Sequence, residues 1–186
     1  MKYIDRFLQR WRIKAAAKFI PPGARVLDIG SWQGELADLV PEIADYWGID
    51  PKVDLTILEG RKKLVRGYFP DALVATESGT IGNFNAVTML AVLEHIPIDQ
   101  QSALAHNLAR VTDSSGRLII TVPSPIVDRI LPILRRLRLI DGMSLDEHFG
   151  FDVNSTVGTF QDAGFKLLHR SGFQLGCNNL FVFERN

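Results

Sequence analysis

Two carboxylates, two glycines and one histidine stand in this sequence where they could hold a nucleotide-like ligand and act on its neighbour. In the run Arg25–Gly34, Arg-Val-Leu-Asp-Ile-Gly-Ser-Trp-Gln-Gly, the apolar residues Val26, Leu27 and Ile29 suit a strand buried on both faces, with Asp28 inside it. Gly30 and Gly34 free the backbone beyond that strand for a tight turn and a close approach to a ligand. Asp50 ends a second short run, Tyr46-Trp47-Gly48-Ile49, and a carboxylate at a strand's end offers acceptors to both hydroxyls of a vicinal diol. His95 follows the apolar run Asn85–Leu90. Its imidazole titrates near neutrality and suits a proton acceptor for a hydroxyl or amine, or it caps the turn before Pro97.

Those residues need strands that end on one edge and helices that return the chain. Tyr3–Phe19 predicts a helix with Ile4, Phe7, Leu8, Trp11 and Ala15 at helical spacing, and Lys2, Arg6, Arg10, Lys14 and Lys18 recur every four residues. Pro21-Pro22-Gly23 stops it, the strand of the Asp28 run follows, and a helix is expected from Glu35 to about Ala44. Val53–Arg66 reads both ways, with Leu55–Leu58 strand-like and Arg61–Leu64 helix-like. A third strand is expected over Ala72–Ala75 and a fourth over Asn85–Leu90. A helix over Asp99–Val111, a turn at Asp113–Gly116 and a fifth strand over Arg117–Val122 follow. Strand and helix alternating in this way imply a parallel sheet with right-handed crossovers, whose ligands settle beyond the carboxyl ends of the strands. The tail differs: a helix over Ser155–Ala163 stops at Gly164, and Phe165–Arg170 and Asn179–Phe183 read as a closing pair of strands.

At 186 residues the chain suits one domain, 1–186, with residues 1–20 as an N-terminal cap helix and 123–150 as an insertion on the substrate side. A formal net charge of +0 removes any global pull toward nucleic acid. The basic residues are interleaved with aliphatic ones rather than stacking aromatics, so no nucleic-acid partner is expected. The lone Cys177 cannot form an intrachain disulfide or a thiolate metal site, and no apolar run is long enough to span a bilayer. A cytoplasmic location is the expectation.

The Asp28-x-Gly30-x-x-x-Gly34 spacing departs from the G-x-G-x-x-G of dinucleotide enzymes. It resembles the first motif of the class I S-adenosylmethionine-dependent methyltransferases, with Trp32 in place of the middle glycine. The resemblance continues in register through Gly48-Ile49-Asp50, Phe84–Val87, Val92-Leu93-Glu94-His95, Leu108–Val111 with Ser115–Ile120, and Ala163-Gly164-Phe165 to the final strand. It implies a doubly wound α/β fold with a mostly parallel seven-stranded sheet, an antiparallel C-terminal strand and the order 3-2-1-4-5-7-6. It also implies S-adenosyl-L-methionine as cofactor and S-adenosyl-L-homocysteine as product. Backbone at Gly30, Ser31 and Gly34 would hold the methionine part, Asp28 would organise the loop and the ammonium end, and Asp50 would take the ribose.

Position after the third strand makes Glu77 the adenine candidate, or a solvated loop acid. Met89, Leu90 and Ala91 are expected to line the methyl-transfer cleft, with His95 as the candidate base. Some relatives hold a metal with an acid-x-x-Glu-His arrangement completed by a later His. Ala91 stands at the first acid here, so Glu94, His95 and His148 are read as no metal site. Trp32 either caps the cofactor or packs on the N-terminal helix. Ile126, Ile130, Ile133, Leu134 and Leu137, ringed by Arg129, Arg135, Arg136 and Arg138, form either a lid packed on the sheet or an apolar lip for an amphipathic, lipid-linked acceptor. Residues 1–20 and 125–140 would then meet a membrane surface, and His148, Phe149 and Phe151 would wall the substrate side. The expected activity is methyl transfer to oxygen or nitrogen of a small molecule. Its rivals are a nicotinamide-dependent oxidoreductase and a non-catalytic cofactor-binding partner subunit.

Overall fold

The structure, a computed structural model, describes residues 3–76, 83–124, 153 and 155–186. Its sheet is built from β1 (Arg25–Ile29), β2 (Asp45–Asp50), β3 (Lys62–Arg66), β4 (Phe84–Leu90), β5 (Thr112–Pro123), β6 (Phe165–Phe173) and β7 (Asn178–Arg185). The spatial order is β3-β2-β1-β4-β5-β7-β6, as expected. Neighbours among the first five strands run parallel, and β7 lies antiparallel between β5 and β6.

Alternation along the strands sorts the core into two layers. Val26, Tyr46, Leu64, Leu180 and Val182 meet Ile13 and Ala16 of α1 (Tyr3–Ala17) and Leu36 of α2 (Glu35–Leu39). Leu27, Ile29, Ile49, Phe181 and Phe183 pack on the other face with Leu104 and Leu108 of α4 (Ile98–Val111) and Phe160 of α5 (Ser155–Asp162). Asp28 shares parity with Val26, so its carboxylate belongs to the α1 side. Two long-range hydrogen bonds fasten α1 and the turn after it there: Gln174 Nε2 donates to the Leu8 carbonyl at 2.7 Å and Arg117 Nη1 to the carbonyl of Phe19, two residues beyond the helix, at 2.8 Å. The basic stripe Arg6, Arg10, Lys14 and Lys18 is left exposed.

Three expectations need correction. The helix after the glycine turn ends at Leu39 rather than Ala44, because Pro41 disfavours helical backbone at Val40, whose φ of −126° is extended. The third strand is Lys62–Arg66, inside the stretch that reads both ways. Leu64 and Val65 face opposite layers and align with Gly48 and Ile49 of β2. Residues Ala72–Ala75 instead lie in and just beyond the short helix α3 (Asp71–Val74). The turn expected at Asp113–Gly116 is absorbed into β5 as an irregularity against β4, with Ser115 at φ 61°. No helix among the described residues is long and apolar enough to cross a membrane. Residues 125–150 of the expected insertion lie outside the described residues, as do Glu77, His148, Phe149 and Phe151.

Candidate cofactor and catalytic site

Where β1 ends, the chain turns through left-handed backbone at Gly30 (φ 75°), Trp32 (φ 50°) and Gly34 (φ 77°) before α2 begins. Gly30 and Ser31 donate their backbone N–H groups to the Ile49 carbonyl at 2.8 and 3.3 Å. The Trp32 N–H donates to Asp50 Oδ2 at 3.0 Å, and the Lys52 N–H to Asp50 Oδ1 at 2.7 Å. The end of β2 is thereby tied to the glycine turn, and the Asp50 carboxylate is fixed in orientation. Each of its oxygens keeps acceptor capacity, because an ionised carboxylate offers about four lone-pair sites.

Asp50 lines a cleft of about 940 Å³ at the carboxyl ends of β1, β2 and β4. Gly30, Trp32 and Lys52 border it on one side, Tyr68, Phe69 and Pro70 on another, and Ala91, Val92 and His95 close it. This arrangement fits a nucleoside: the acid suits a ribose diol, and Tyr68 and Phe69 offer flat apolar surface to a base. The expectation of adenine at Glu77 followed from a third strand at 72–75. With that strand at 62–66, the chain leaving it enters the cleft as Gly67-Tyr68-Phe69-Pro70. In the sequence this is an aromatic pair and a proline that follow Lys-Lys-Leu-Val-Arg after one glycine.

Trp32 borders the cleft with Lys52 Nζ 6.0 Å from its ring centroid, and it also lines a groove of about 510 Å³ with Arg6, Arg10 and Leu39. Both roles considered for it are therefore compatible with its position.

Asp28, by contrast, is buried on the α1 side, where it accepts hydrogen bonds from Tyr46 Oη and Thr88 Oγ1, both at 2.6 Å. Burial pushes its carboxyl up to about 6, against the lowering effect of those two hydrogen bonds. It lines a small cavity of about 50 Å³ with Gln9, Arg12, Ser31, Glu35 and Leu90, and Gly30 borders both this cavity and the cleft.

Alternation along β4 sends Leu90 to the small cavity. It places Met89 at 0% exposure in the core instead of the cleft, a correction to the expectation for that residue. Gly34 lines neither space. A Cβ there would meet Lys62 Cε at 2.5 Å, so its smallness serves packing on β3. His95, at the end of the 3-10 turn Leu93–His95, lines the cleft, whereas its neighbour Glu94 is 2% exposed. Burial raises Glu94 to about 7 against a hydrogen bond from its own backbone N–H and attraction to Arg12. Among the described residues no three His, Cys, Asp or Glu side chains are grouped to hold a metal ion.

The Asp28 shift gives a signed prediction. A carboxyl raised in the folded state binds more protons than in the unfolded chain, so its contribution to stability is fully present below about pH 4 and is lost as pH rises through 6. Asp28→Asn should therefore gain stability relative to the parent between pH 4 and 7, on the order of 3 kcal/mol across the window. Urea unfolding at several pH values measures the difference, and parallel pH profiles for the two proteins would contradict it.

A family model described as a methyltransferase domain matches residues 1–170. No curated protein matches the chain. Among solved structures, magnesium protoporphyrin IX methyltransferase from Synechocystis PCC 6803, crystallised with bound S-adenosylhomocysteine, aligns with a TM-score of 0.68 at 18% identity, over 100% of this chain and 89% of that one. An O-methyltransferase family protein from Burkholderia thailandensis aligns at 0.67 and 17% identity, over 96% of this chain and 56% of that one. The N-methyltransferase NodS from Bradyrhizobium japonicum WM9 aligns at 0.59 and 12% identity, over 97% and 94%. Such identities carry the fold and leave the acceptor open. The glycine turn, the strand-end acid and a family match spanning most of the sequence agree: the chain belongs to the class I S-adenosylmethionine-dependent methyltransferases.

Proposed function

We propose that this enzyme transfers a methyl group from S-adenosyl-L-methionine to an oxygen or nitrogen of a small amphipathic acceptor, with His95 as proton acceptor. The observation that carries the cofactor assignment is the shared border at Gly30. The cleft with Asp50 lies on one side and the cavity with Asp28 on the other, which suits a nucleoside joined to an amino acid. Bound S-adenosylmethionine supplies a methyl on a positively charged sulfur, which departs as the neutral thioether of S-adenosylhomocysteine. Asp50 holds the ribose, Tyr68 and Phe69 flank the base, and the turn at Gly30 and Ser31 sets the cofactor's depth. The protein's remaining tasks are to align the nucleophile, exclude water and take its proton, which falls to His95 in the same cleft.

The groove beside Trp32 supports an amphipathic acceptor: Trp32 and Leu39 offer apolar surface, and Arg6, Arg10, Glu35 and Asp38 offer charges of both signs. Phe7 at 61% exposure and Trp11 at 37% stand on the same basic helix, which suits approach to a membrane surface bearing a lipid-linked acceptor. The chain is read as a single cytoplasmic domain whose residues 1–20 cap the site and whose residues 123–150 select the substrate.

The test is formation of S-adenosylhomocysteine from soluble amphiphiles carrying hydroxyls or amines, each presented free and in anionic vesicles. With any productive acceptor, His95→Ala should lower kcat about 100-fold while changing S-adenosylhomocysteine affinity little. Equal kcat in the variant would assign His95 to the turn alone. Turnover indifferent to vesicles and to high salt would remove the membrane-surface part.

A further inference from the structure

The turn that joins β6 to β7 carries a side chain that serves neither the turn nor the core. Gln174, Leu175 and Gly176 follow one another in left-handed backbone at φ 54°, 57° and 83°, where glycine or asparagine is at ease and leucine is not. Leu175 is 95% exposed, so no packing within the protein offsets that conformation. Its neighbour is held firmly: Gln174 is buried, accepts a hydrogen bond from Asn178 Nδ2 and donates one to the Leu8 carbonyl of α1. The hairpin tip and the helix are thereby joined, and a bare aliphatic side chain is presented beside the join.

The join stands at the edge of the sheet where the cleft opens. Asn178, the first residue of β7, pairs with Pro123 at the carboxyl end of β5, and Ala91 and Val92, just beyond the neighbouring β4, border the cleft. On the outward face of α1, Phe7 is 61% and Trp11 37% exposed, their rings edge-to-face at 5.7 Å, among the exposed Arg6, Arg10, Lys14 and Lys18. From Arg6 to Ala24 the sequence holds those four cations and Arg12 but no acid, whereas the whole chain has a formal net charge of +0. Clustered cations beside exposed aromatic and aliphatic side chains complement a surface that is anionic outside and apolar just beneath. A nucleic acid would satisfy the cations and leave Phe7 and Leu175 in water.

We infer that the outward face of α1 and the β6–β7 tip together form a docking face for an anionic lipid bilayer, with the cations at the headgroups and Phe7, Trp11 and Leu175 in the interface. The inference rests on the reading of the acceptor as lipid-linked and adds to it a second contact. A single amphipathic helix can roll on a surface. Two contacts joined through Gln174 hold the cleft's edge of the sheet toward the lipid, the side from which a lipid-linked acceptor arrives.

The experiment is co-sedimentation with vesicles of phosphatidylcholine, with and without about one-third phosphatidylglycerol, at low and physiological salt. The parent is expected to bind the anionic vesicles at least about tenfold more tightly than the neutral ones, and more weakly as salt rises. Leu175→Asn suits left-handed backbone, so it should unfold at the same or a higher urea concentration while binding anionic vesicles about tenfold more weakly. Phe7→Ser should lose a similar factor. No binding by the parent overturns the docking face, and undiminished binding by Leu175→Asn overturns the role of the tip. Binding that neither variant weakens is attraction of charge alone and overturns the apolar contacts. Vesicle binding by the parent with turnover indifferent to vesicles would uphold the docking face and remove the lipid-linked acceptor, so the two readings fail separately.

Discussion

Asp50→Ala is expected to weaken S-adenosylhomocysteine binding at least about 100-fold, the largest loss of any single side-chain truncation in the cleft. Two effects combine. In the role proposed for Asp50 the ribose loses an ionised acceptor for each hydroxyl, and hydrogen bonds to a charged group contribute about 1.5–3 kcal/mol apiece. The backbone N–H groups of Trp32 and Lys52 also lose their partners, so the turn that carries Gly30 is no longer tied to β2 through this side chain. Asp50→Asn keeps one acceptor oxygen and should fall between. A cycle with the 2′-deoxy analogue of S-adenosylhomocysteine separates direct contact from loosening of the turn. Removing the 2′-hydroxyl should cost the parent about tenfold and the Asp50→Ala protein almost nothing. Equal costs in the two proteins would mean that Asp50 acts only through the turn.

The sheet was legible because its buried strands carry their pattern locally. Val26-Leu27 with Ile29, and Leu118–Val122, are buried on both faces, and each run stands next to a glycine or proline that marks the strand's end, Gly30 just beyond β1 and Pro123 as the last residue of β5. β3 was illegible for the opposite reason. It is an edge strand whose only two buried residues, Leu64 and Val65, lie among three Lys and Arg side chains, so its identity comes from pairing with β2 rather than from its own composition. The expectation for Glu77 rested on that placement, whereas the residues that follow β3 are Gly67, Tyr68 and Phe69.

At the site, acids near strand ends were visible in sequence, but the space each lines was not. Asp28 and Asp50 look alike in the chain and share a face of the sheet, since Asp28 aligns with Gly48; Asp28 lies inside β1 on the buried α1 side, whereas Asp50 ends β2 and lines the cleft. The partnership of Arg12 with Glu94 joins residues far apart in sequence across the α1 interface, and no local spacing encodes it.

Gly30→Ala should destabilise the fold by about 3 kcal/mol or more, and two separable costs make up that figure. The first is conformational: Gly30 sits at φ 75°, where a Cβ crowds the backbone. Gly23 measures this part alone, because its φ of 71° is similar and a Cβ there meets nothing within 4 Å, so Gly23→Ala should cost only about 1 kcal/mol. The second is steric: the new methyl would stand 2.2 Å from Val92 Cγ2, on a β-branched side chain with little freedom to turn away. Val92→Ala in the Gly30→Ala background should recover the steric part and leave the conformational part, giving a coupling of at least about 1 kcal/mol in denaturant unfolding.

Gly30 also borders both the cleft and the small cavity, so an added methyl, or the Val92 side chain it displaces, narrows the border that a ligand reaching both would cross. The Gly30→Ala/Val92→Ala protein should therefore regain stability without regaining affinity for S-adenosylhomocysteine. Recovery of both together would make Gly30 a folding residue alone. Recovery of stability without affinity would make its bare backbone part of the binding surface, as the border between the two spaces requires.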